Sequence, residues 1–170
     1  MAVSRALLDA GFATLLCDLL TTSEVSDRTK VFDIPLLANR MSAALDWVQG
    51  QPDLRSLPKG LYGASTGAAA AILVAADHPD EIRAVVSRGG RVDLVEADLA
   101  RVRCPVLMIV GGADDVVLNL NRLAQCELRC ESALSIVPGA THLFAEPGAL
   151  DEVARLTRNW FLETLVPAPS

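Results

Sequence analysis

The clearest chemical signal in this sequence of 170 residues is the motif Gly-Ala-Ser-Thr-Gly at positions 63–67. It stands where a strand is predicted to end and an alanine-rich helix to begin. A turn this sharp strains its central residue and requires small residues two positions to either side. It would lift the Ser65 hydroxyl above a sheet, and the Thr66 N–H, at the positive end of the helix, could bind an oxyanion. Because glycine is common, the motif alone is weak, and the alternative is a plain turn whose glycines only relieve crowding.

A serine hydroxyl becomes a good nucleophile when a base takes its proton, and that base is usually a histidine. The chain has two histidines. His142 follows a predicted strand and is therefore expected at the carboxyl edge of a sheet. His78 is expected at the far end of the helix that starts after Ser65, roughly 15 Å away at about 1.5 Å per residue. His142 is the predicted base, and His78 is predicted to be a capping or surface residue.

A carboxylate that orients His142 is expected on the loop after the preceding strand. Residues 111–117, with the sequence Gly-Gly-Ala-Asp-Asp-Val-Val, offer Asp114 and Asp115. The resulting order along the chain is serine, acid, histidine, which is the order found in one large class of hydrolases.

Two arginines are further candidates for contact with a ligand. Arg88 and Arg91 flank two glycines just after a predicted strand, at the edge where the serine is expected. Their guanidinium groups could bind a carboxylate or phosphate of a substrate. The alternative is a solvated turn whose arginines pair with nearby acidic residues.

The elements that must position these residues alternate along the chain. Strands are predicted from apolar runs at 12–19, 59–63, 82–87, 105–110 and 133–137. Helices are predicted at 2–10, 34–51, 66–77, 118–129 and 149–165, with a polar loop at 21–32. This alternation predicts an α/β fold with a mostly parallel sheet flanked by helices. Functional residues of such sheets gather at the carboxyl ends of the strands.

Composition limits the class of protein. The length predicts one domain over residues 1–165, followed by a flexible tail at 166–170. Hydrophobic residues make up 51% of the chain, which excludes disorder, and the net charge of −6 argues against general nucleic-acid binding. No apolar run approaches the roughly 18 residues that span a bilayer. Four cysteines without an export signal predict free thiols in the cytoplasm, and their spacing completes no metal site.

Taken together, these motifs and the sequence Pro-Gly-Ala-Thr-His-Leu-Phe at 138–144 resemble the α/β-hydrolase superfamily. The resemblance is to its dienelactone-hydrolase-like branch, which includes bacterial hydrolase domains joined to phosphoribosyltransferases. It implies cleavage of a carboxylic ester or lactone through an acyl-enzyme, without a cofactor. The family pattern Gly-x-x-Asp-x-x-Val selects Asp114 as the acid and leaves Asp115 in reserve. Dienelactone hydrolases carry a cysteine nucleophile, so Ser65 favours general ester hydrolysis.

The resemblance also implies a missing segment. Family members have earlier strands and a His-Gly-rich loop, which gives the second oxyanion donor, before the helix that residues 2–10 match. One of those strands would lie between segments 12–19 and 59–63. We expect the coding sequence to continue upstream of Met1; the alternatives are direct pairing of the remaining strands or a homodimer that covers the free edge. If the chain is N-terminally truncated, activity would be weak, and a non-catalytic accessory or partner-binding module is the alternative function. Neither nucleic acid nor a membrane is a predicted partner.

Overall fold

The computed structural model describes residues 2–166. Its sheet has four parallel strands in the order β1 (Lys59–Ala64), β2 (Ile82–Arg88), β3 (Val106–Gly111) and β4 (Ser132–Val137). The helices are α1 (Ala2–Asp9), α2 (Arg28–Val31), α3 (Ile34–Gln49), α4 (Thr66–Asp77), α5 (Glu96–Leu99), α6 (Asp115–Glu127) and α7 (Ala149–Leu165), with a 3-10 turn at Val92–Val95. All strands run in the same direction, so the loops that follow them meet at one edge.

Helices cover both faces of the sheet, and each face has its own apolar core. On one face, α3 and the alanine-rich α4 pack against side chains such as Val85 and Met108. On the other face, α1 and α7 pack against Val86, Leu107 and Ile109. Every residue of β3 is buried, as expected for a parallel strand covered on both sides. The predicted fold class is therefore confirmed.

Most predicted elements are present within a few residues of their expected bounds, and local chemistry explains where they start and stop. Gly11 adopts a positive φ of +88° just after α1 and ends it. The Asp33 carboxylate accepts the N–H of Leu36 and caps the first turn of α3. Helix α6 starts at Asp115 rather than at residue 118, because the carboxylate of Asp114 caps its first turn. The predicted loop at 21–32 contains the short helix α2.

The predicted strand at residues 12–19 is wrong. The segment has no secondary structure, and the side chains of Leu15 and Leu16 are 52% and 54% exposed. Its apolar sequence would allow burial, but a strand also needs a neighbour for its backbone hydrogen bonds. Strand β1 pairs only with β2, so its other edge is free among the described residues. Direct pairing of segment 12–19 with β1, one of the expected alternatives, is not observed.

A polar cluster holds the end of this segment. The Arg40 guanidinium donates to the Leu19 carbonyl at 2.7 Å and to the Glu24 carboxylate at 2.6 Å. Lys30 Nζ contacts the same carboxylate at 2.8 Å. The Arg40 and Lys30 contacts hold the pKa of Glu24 well below its usual range. The chain after residue 19 is thus tied to α3 by charge-assisted bonds instead of a β-ladder.

Two further sequence predictions concern the ends of the chain and membranes. The predicted tail at 166–170 lies outside the described residues, apart from Val166. Within residues 2–166, no helix has both the length and the apolar character needed to cross a bilayer.

Candidate active site

Ser65 stands at the sharp turn between β1 and α4, and its backbone is strained there. Its φ is +52° and its ψ is −121°, a region that non-glycine residues rarely occupy. The Ser65 N–H donates to the Arg88 carbonyl at 3.1 Å, and its own carbonyl accepts the N–H of Arg91 at 3.1 Å. These bonds to the loop after β2 hold the strained turn in place.

Close packing within the turn requires glycine at one of the two positions where small residues were predicted. A Cβ atom at Gly63 would lie 2.3 Å from the Gly67 carbonyl oxygen and 2.6 Å from the Ala68 Cα. At Gly67 a Cβ would meet only the Leu19 Cδ1, at 4.0 Å. The expected need for a small residue therefore holds at position 63. It is wrong at position 67, where the turn leaves room.

His142 lies beside Ser65, on the loop that follows β4. Its Nε2 is 3.3 Å from the Ser65 Oγ, and the Nδ1 is 2.7 Å from the Asp114 Oδ2. The other carboxylate oxygen of Asp114 accepts the Val117 N–H at 3.3 Å. The imidazole side chain is 39% exposed, whereas that of Asp114 is only 14% exposed. The structure thus brings a hydroxyl, an imidazole and a carboxylate into one chain of contacts.

Two other residues that the sequence offered lie outside this chain of contacts. Asp115 is an exposed residue in the first turn of α6. His78 caps the other end of α4, where its ring contacts the Ser42 hydroxyl at 3.3 Å and the Glu81 carboxylate at 3.4 Å. His78 is thus a capping residue, as predicted, and the carboxylate that contacts His142 is that of Asp114 and not that of Asp115, the acid held in reserve.

The loops that carry Asp114 and His142 are joined through their backbones. The Ala113 N–H donates to the Ala140 carbonyl at 2.9 Å, and the Gly112 N–H to the Val137 carbonyl at 2.8 Å. A Cβ at Gly111 would lie 2.3 Å from the Ala140 carbonyl oxygen, so glycine permits this approach. The separation of the acid and the imidazole is therefore fixed by main-chain contacts between adjacent strands.

Comparison with known proteins assigns the family. The model of the family described as "Dienelactone hydrolase family" matches residues 1–164. The chain belongs to the dienelactone hydrolase family.

The chain is similar to several known proteins. The crystal structure of a dienelactone hydrolase from Anabaena variabilis superposes with a TM-score of 0.92 at 47% identity, covering 96% of this chain and 77% of that one. Est1E from Butyrivibrio proteoclasticus shares the fold, with a TM-score of 0.78 at 19% identity over 95% of this chain and 79% of its own. A Mycobacterium tuberculosis protein with the provisional name phosphoribosyl transferase is 54% identical over 99% of this chain. The chain spans 38% of the length of that relative.

An open cleft lies next to the turn that carries Ser65. Its volume is about 570 Å³, and Ala64, Thr66 and Gly67 are among the residues that line it. Residues 17–20 line the same cleft, so Asp18 and the start of α4 both border it. As the first residue of α4, Thr66 has a backbone N–H with no acceptor inside the helix.

The two arginines predicted to bind substrate have different surroundings. The Arg91 guanidinium makes two bonds to the Asp93 carboxylate, at 2.9 and 2.8 Å, which raise the pKa of Arg91. Arg88 lies over the Phe144 ring at 5.5 Å. Its Nε is buried and has no hydrogen-bond partner within residues 2–166. Arg91 therefore fits the alternative of a solvated turn in which an arginine pairs with a nearby acidic residue, whereas Arg88 does not.

Sequence reasoning missed the residues that brace the histidine loop. Phe144 is fully buried at a positive φ of +54°. Thr141 Oγ1 donates to Glu146 at 2.6 Å, and this bond lowers the pKa of Glu146. Gly89 has a φ of +52°, and a Cβ there would lie 3.5 Å from the His142 ring. The Gly89-Gly90 pair was the one available signal, since paired glycines after a strand suggest a close approach.

Among residues 2–166, no three His, Cys, Asp or Glu side chains are grouped so that they could hold a metal ion. The four cysteines are free thiols. Burial raises the pKa of Cys104 to about 11, so this thiol is a poor nucleophile at neutral pH.

Proposed function

We propose that the protein is a serine hydrolase that cleaves a carboxylic ester or lactone through an acyl-enzyme. The observation that carries the proposal is the chain of contacts from the Ser65 Oγ through His142 to Asp114. The strained turn at Ser65 and membership of the dienelactone hydrolase family support it. Ser65, His142 and Asp114 are the proposed catalytic residues, and the Thr66 N–H is the proposed oxyanion donor.

Acylation begins when the Ser65 Oγ bonds to the carbonyl carbon of the substrate and His142 Nε2 takes the hydroxyl proton. Asp114, bonded to Nδ1, keeps the ring in the tautomer that accepts at Nε2 and stabilises the imidazolium. The carbonyl electrons move to the oxygen, which the Thr66 N–H binds. When the intermediate collapses, the bond to the alcohol oxygen breaks, and His142 returns its proton to that oxygen.

Deacylation repeats these steps with water. His142 removes a proton from the water as its oxygen bonds to the acyl carbon, and the new oxyanion again lies against the Thr66 N–H. Collapse breaks the bond to the Ser65 Oγ, which recovers a proton from His142. The partial exposure of the imidazole gives water access to it from solvent.

The test is covalent labelling with a fluorophosphonate, which reacts with an activated serine. We expect one modified site, Ser65, in the folded wild-type chain, and no labelling of Ser65→Ala. Hydrolysis of p-nitrophenyl acetate should be lost in the same variant. A wild-type chain that is folded by circular dichroism yet unlabelled would contradict the proposal.

The alternative is a non-catalytic or weakly active accessory module, and the open cleft favours it. Among the described residues that line the cleft, we assign one oxyanion donor, the backbone N–H of Thr66. Loss of one of two donors costs roughly 10²–10³ in rate. Slow labelling with normal folding would support weak activity, and no labelling would support the accessory role.

For the substrate, we propose that Arg88, and not Arg91, contacts an anionic group. A buried Nε without a partner is costly unless an anion binds the guanidinium, whereas Asp93 already neutralises Arg91. We expect Arg88→Gln to raise KM for a carboxylate-bearing ester by about tenfold, the usual effect of losing one charge-assisted pair. The KM for an uncharged ester should change little. Arg91→Gln is the matched control, and an equal effect of both variants on the anionic ester would refute the distinction.

The proposal is confined to the part of the relatives that this chain matches. We propose that the matched 38% of the Mycobacterium tuberculosis protein is a hydrolase unit, and we extend no transferase activity to this chain. We also propose a cytoplasmic location, because four free thiols suit a reducing compartment.

A further inference from the structure

Asn121 is a fully buried polar residue in the middle of α6, away from the three proposed catalytic side chains. Its exposed fraction is 0%. The Nδ2 donates to the Gly90 carbonyl at 2.9 Å and to the Val117 carbonyl at 2.8 Å. Val117 belongs to the same helix, so the Gly90 bond is the one that joins α6 to another part of the fold. A buried amide in a helix is unfavourable unless such a bond compensates for its loss of water.

The segment that receives this bond, residues 88–91, touches two of the proposed catalytic residues. We refer to it as the β2 loop. Arg88 and Arg91 bond to the backbone N–H and carbonyl of Ser65, each at 3.1 Å. Gly89 lies against the His142 ring, and its N–H donates to the Ile109 carbonyl at 2.7 Å. A shift of the β2 loop would therefore move the serine backbone and the surface that supports the imidazole.

The third proposed catalytic residue lies at the start of the helix that carries Asn121. Asp114 is the N-cap of α6, and its carboxylate meets His142 at 2.7 Å. We propose that Asn121 is a positioning residue: its amide locks α6 to the β2 loop and thereby sets the spacing of Ser65, His142 and Asp114. This inference rests on the proposed hydrolase function.

Close packing at Gly90 shows that the residue bonded to Asn121 lies in a crowded position. A Cβ at Gly90 would lie 2.0 Å from the Ser87 Oγ and 2.9 Å from the Ala68 Cβ, so glycine is needed for this close approach. The Oδ1 of Asn121 is buried with no partner among the described residues. The Nδ2 of Asn121 therefore makes two hydrogen bonds, whereas its Oδ1 makes none, which indicates that the side chain acts as a hydrogen-bond donor.

The experiment compares Asn121→Leu with Asn119→Leu. Leucine has the same branching at Cγ as asparagine but no donor, and Asn119 is an exposed residue of the same helix. The kcat for p-nitrophenyl acetate is divided by the number of fluorophosphonate-reactive sites, so that misfolded molecules do not count. We expect Asn121→Leu to lower kcat per site by 10- to 100-fold, since misplacement by about 1 Å can cost 10² in rate. The KM should stay within about threefold, as for a residue that does not touch substrate. Asn119→Leu should match the wild type.

Two further measurements keep the inference open to refutation. If Asn121→Leu does not fold, Asn121→Ala, which also lacks the donor, replaces it. In either variant, the ¹⁵N chemical shift of His142 Nε2 should move, while that of His78 stays constant. An unchanged kcat per site together with an unchanged His142 shift would overturn the role of Asn121. An unlabelled wild type whose His142 shift still responds to Asn121→Leu would refute the hydrolase function but leave the positioning role intact.

Discussion

The two sides of Ser65 are built from different kinds of contact. Toward β2, β3 and β4, parallel strands deliver three loops to one edge, and main-chain bonds and close glycine contacts join those loops. Away from β2, segment 12–19 lies across a cleft from β1 without a strand partner, and two leucines are exposed. Both regions have apolar sequences. Hydrogen-bonding neighbours, and not hydrophobicity, make the difference between them.

This difference separates two functions that an ester hydrolase needs. The proposed proton relay lies on the side of the paired strands, where Asp114 and His142 follow β3 and β4. The proposed oxyanion donor, Thr66, lines the cleft together with residues 17–20, which pair with no strand. We therefore expect substitutions on the relay side to have the larger effects.

The largest effect is expected at His142. His142→Ala should lower kcat for p-nitrophenyl acetate by about 10⁶-fold, because a serine without its base is nearly inert. His78→Ala is the matched control, since its ring lies at the other end of α4, where it contacts Ser42 and Glu81. Steady-state kinetics should show its kcat within about threefold of the wild type. Equal losses of kcat in the two variants would contradict the assignment of His142 as the base.

The next effect is expected at the acid. Asp114→Asn should lower kcat by about 10⁴-fold, because an amide at this position favours the wrong imidazole tautomer. Asp115→Asn removes the same charge from the neighbouring, exposed residue and should leave kcat within about threefold. The comparison is read from kcat at saturating ester. A larger loss in Asp115→Asn would reverse the assignment of the acid.

The side of Ser65 that carries the proposed relay was also easier to predict from the sequence. The alanine-rich run after Gly-Ala-Ser-Thr-Gly predicted α4. Ser65, Asp114 and His142 each follow a strand that could be predicted from its own apolar run, so their common edge could be predicted too. The strand predicted at residues 12–19 is wrong because an apolar run indicates only that a segment can be buried. It does not indicate whether a neighbouring strand is present to accept and donate its backbone hydrogen bonds. The bond from Asn121 to Gly90 spans 31 positions, and neither residue has a local pattern that predicts the other.

A smaller effect, on stability, tests how tightly the turn itself is packed. Gly63→Ala should destabilise the fold by about 3 kcal/mol, because its Cβ would overlap the backbone of residues 67 and 68. Gly67→Ala should be neutral or stabilising by about 0.5 kcal/mol, since the site has room and alanine favours a helix. Urea unfolding monitored by circular dichroism measures both. Similar midpoints for the two variants would show that the turn relaxes more easily than its geometry indicates.

The smallest effect is expected across the cleft and runs in the opposite direction. Asp18 and Thr66 line the same cleft, so the Asp18 carboxylate opposes the negative charge that develops on the substrate oxygen. Asp18→Asn should therefore raise kcat by about two- to fivefold at low salt, the size of one screened charge interaction over several ångströms. Asp46→Asn, an exposed position on α3, removes the same net charge elsewhere and should have no effect. The gain should shrink as salt is added, because screening weakens interactions between exposed charges. A fall in kcat in Asp18→Asn would instead mean that this carboxylate supports the oxyanion side, and the contrast between the two sides of Ser65 would lose its electrostatic basis.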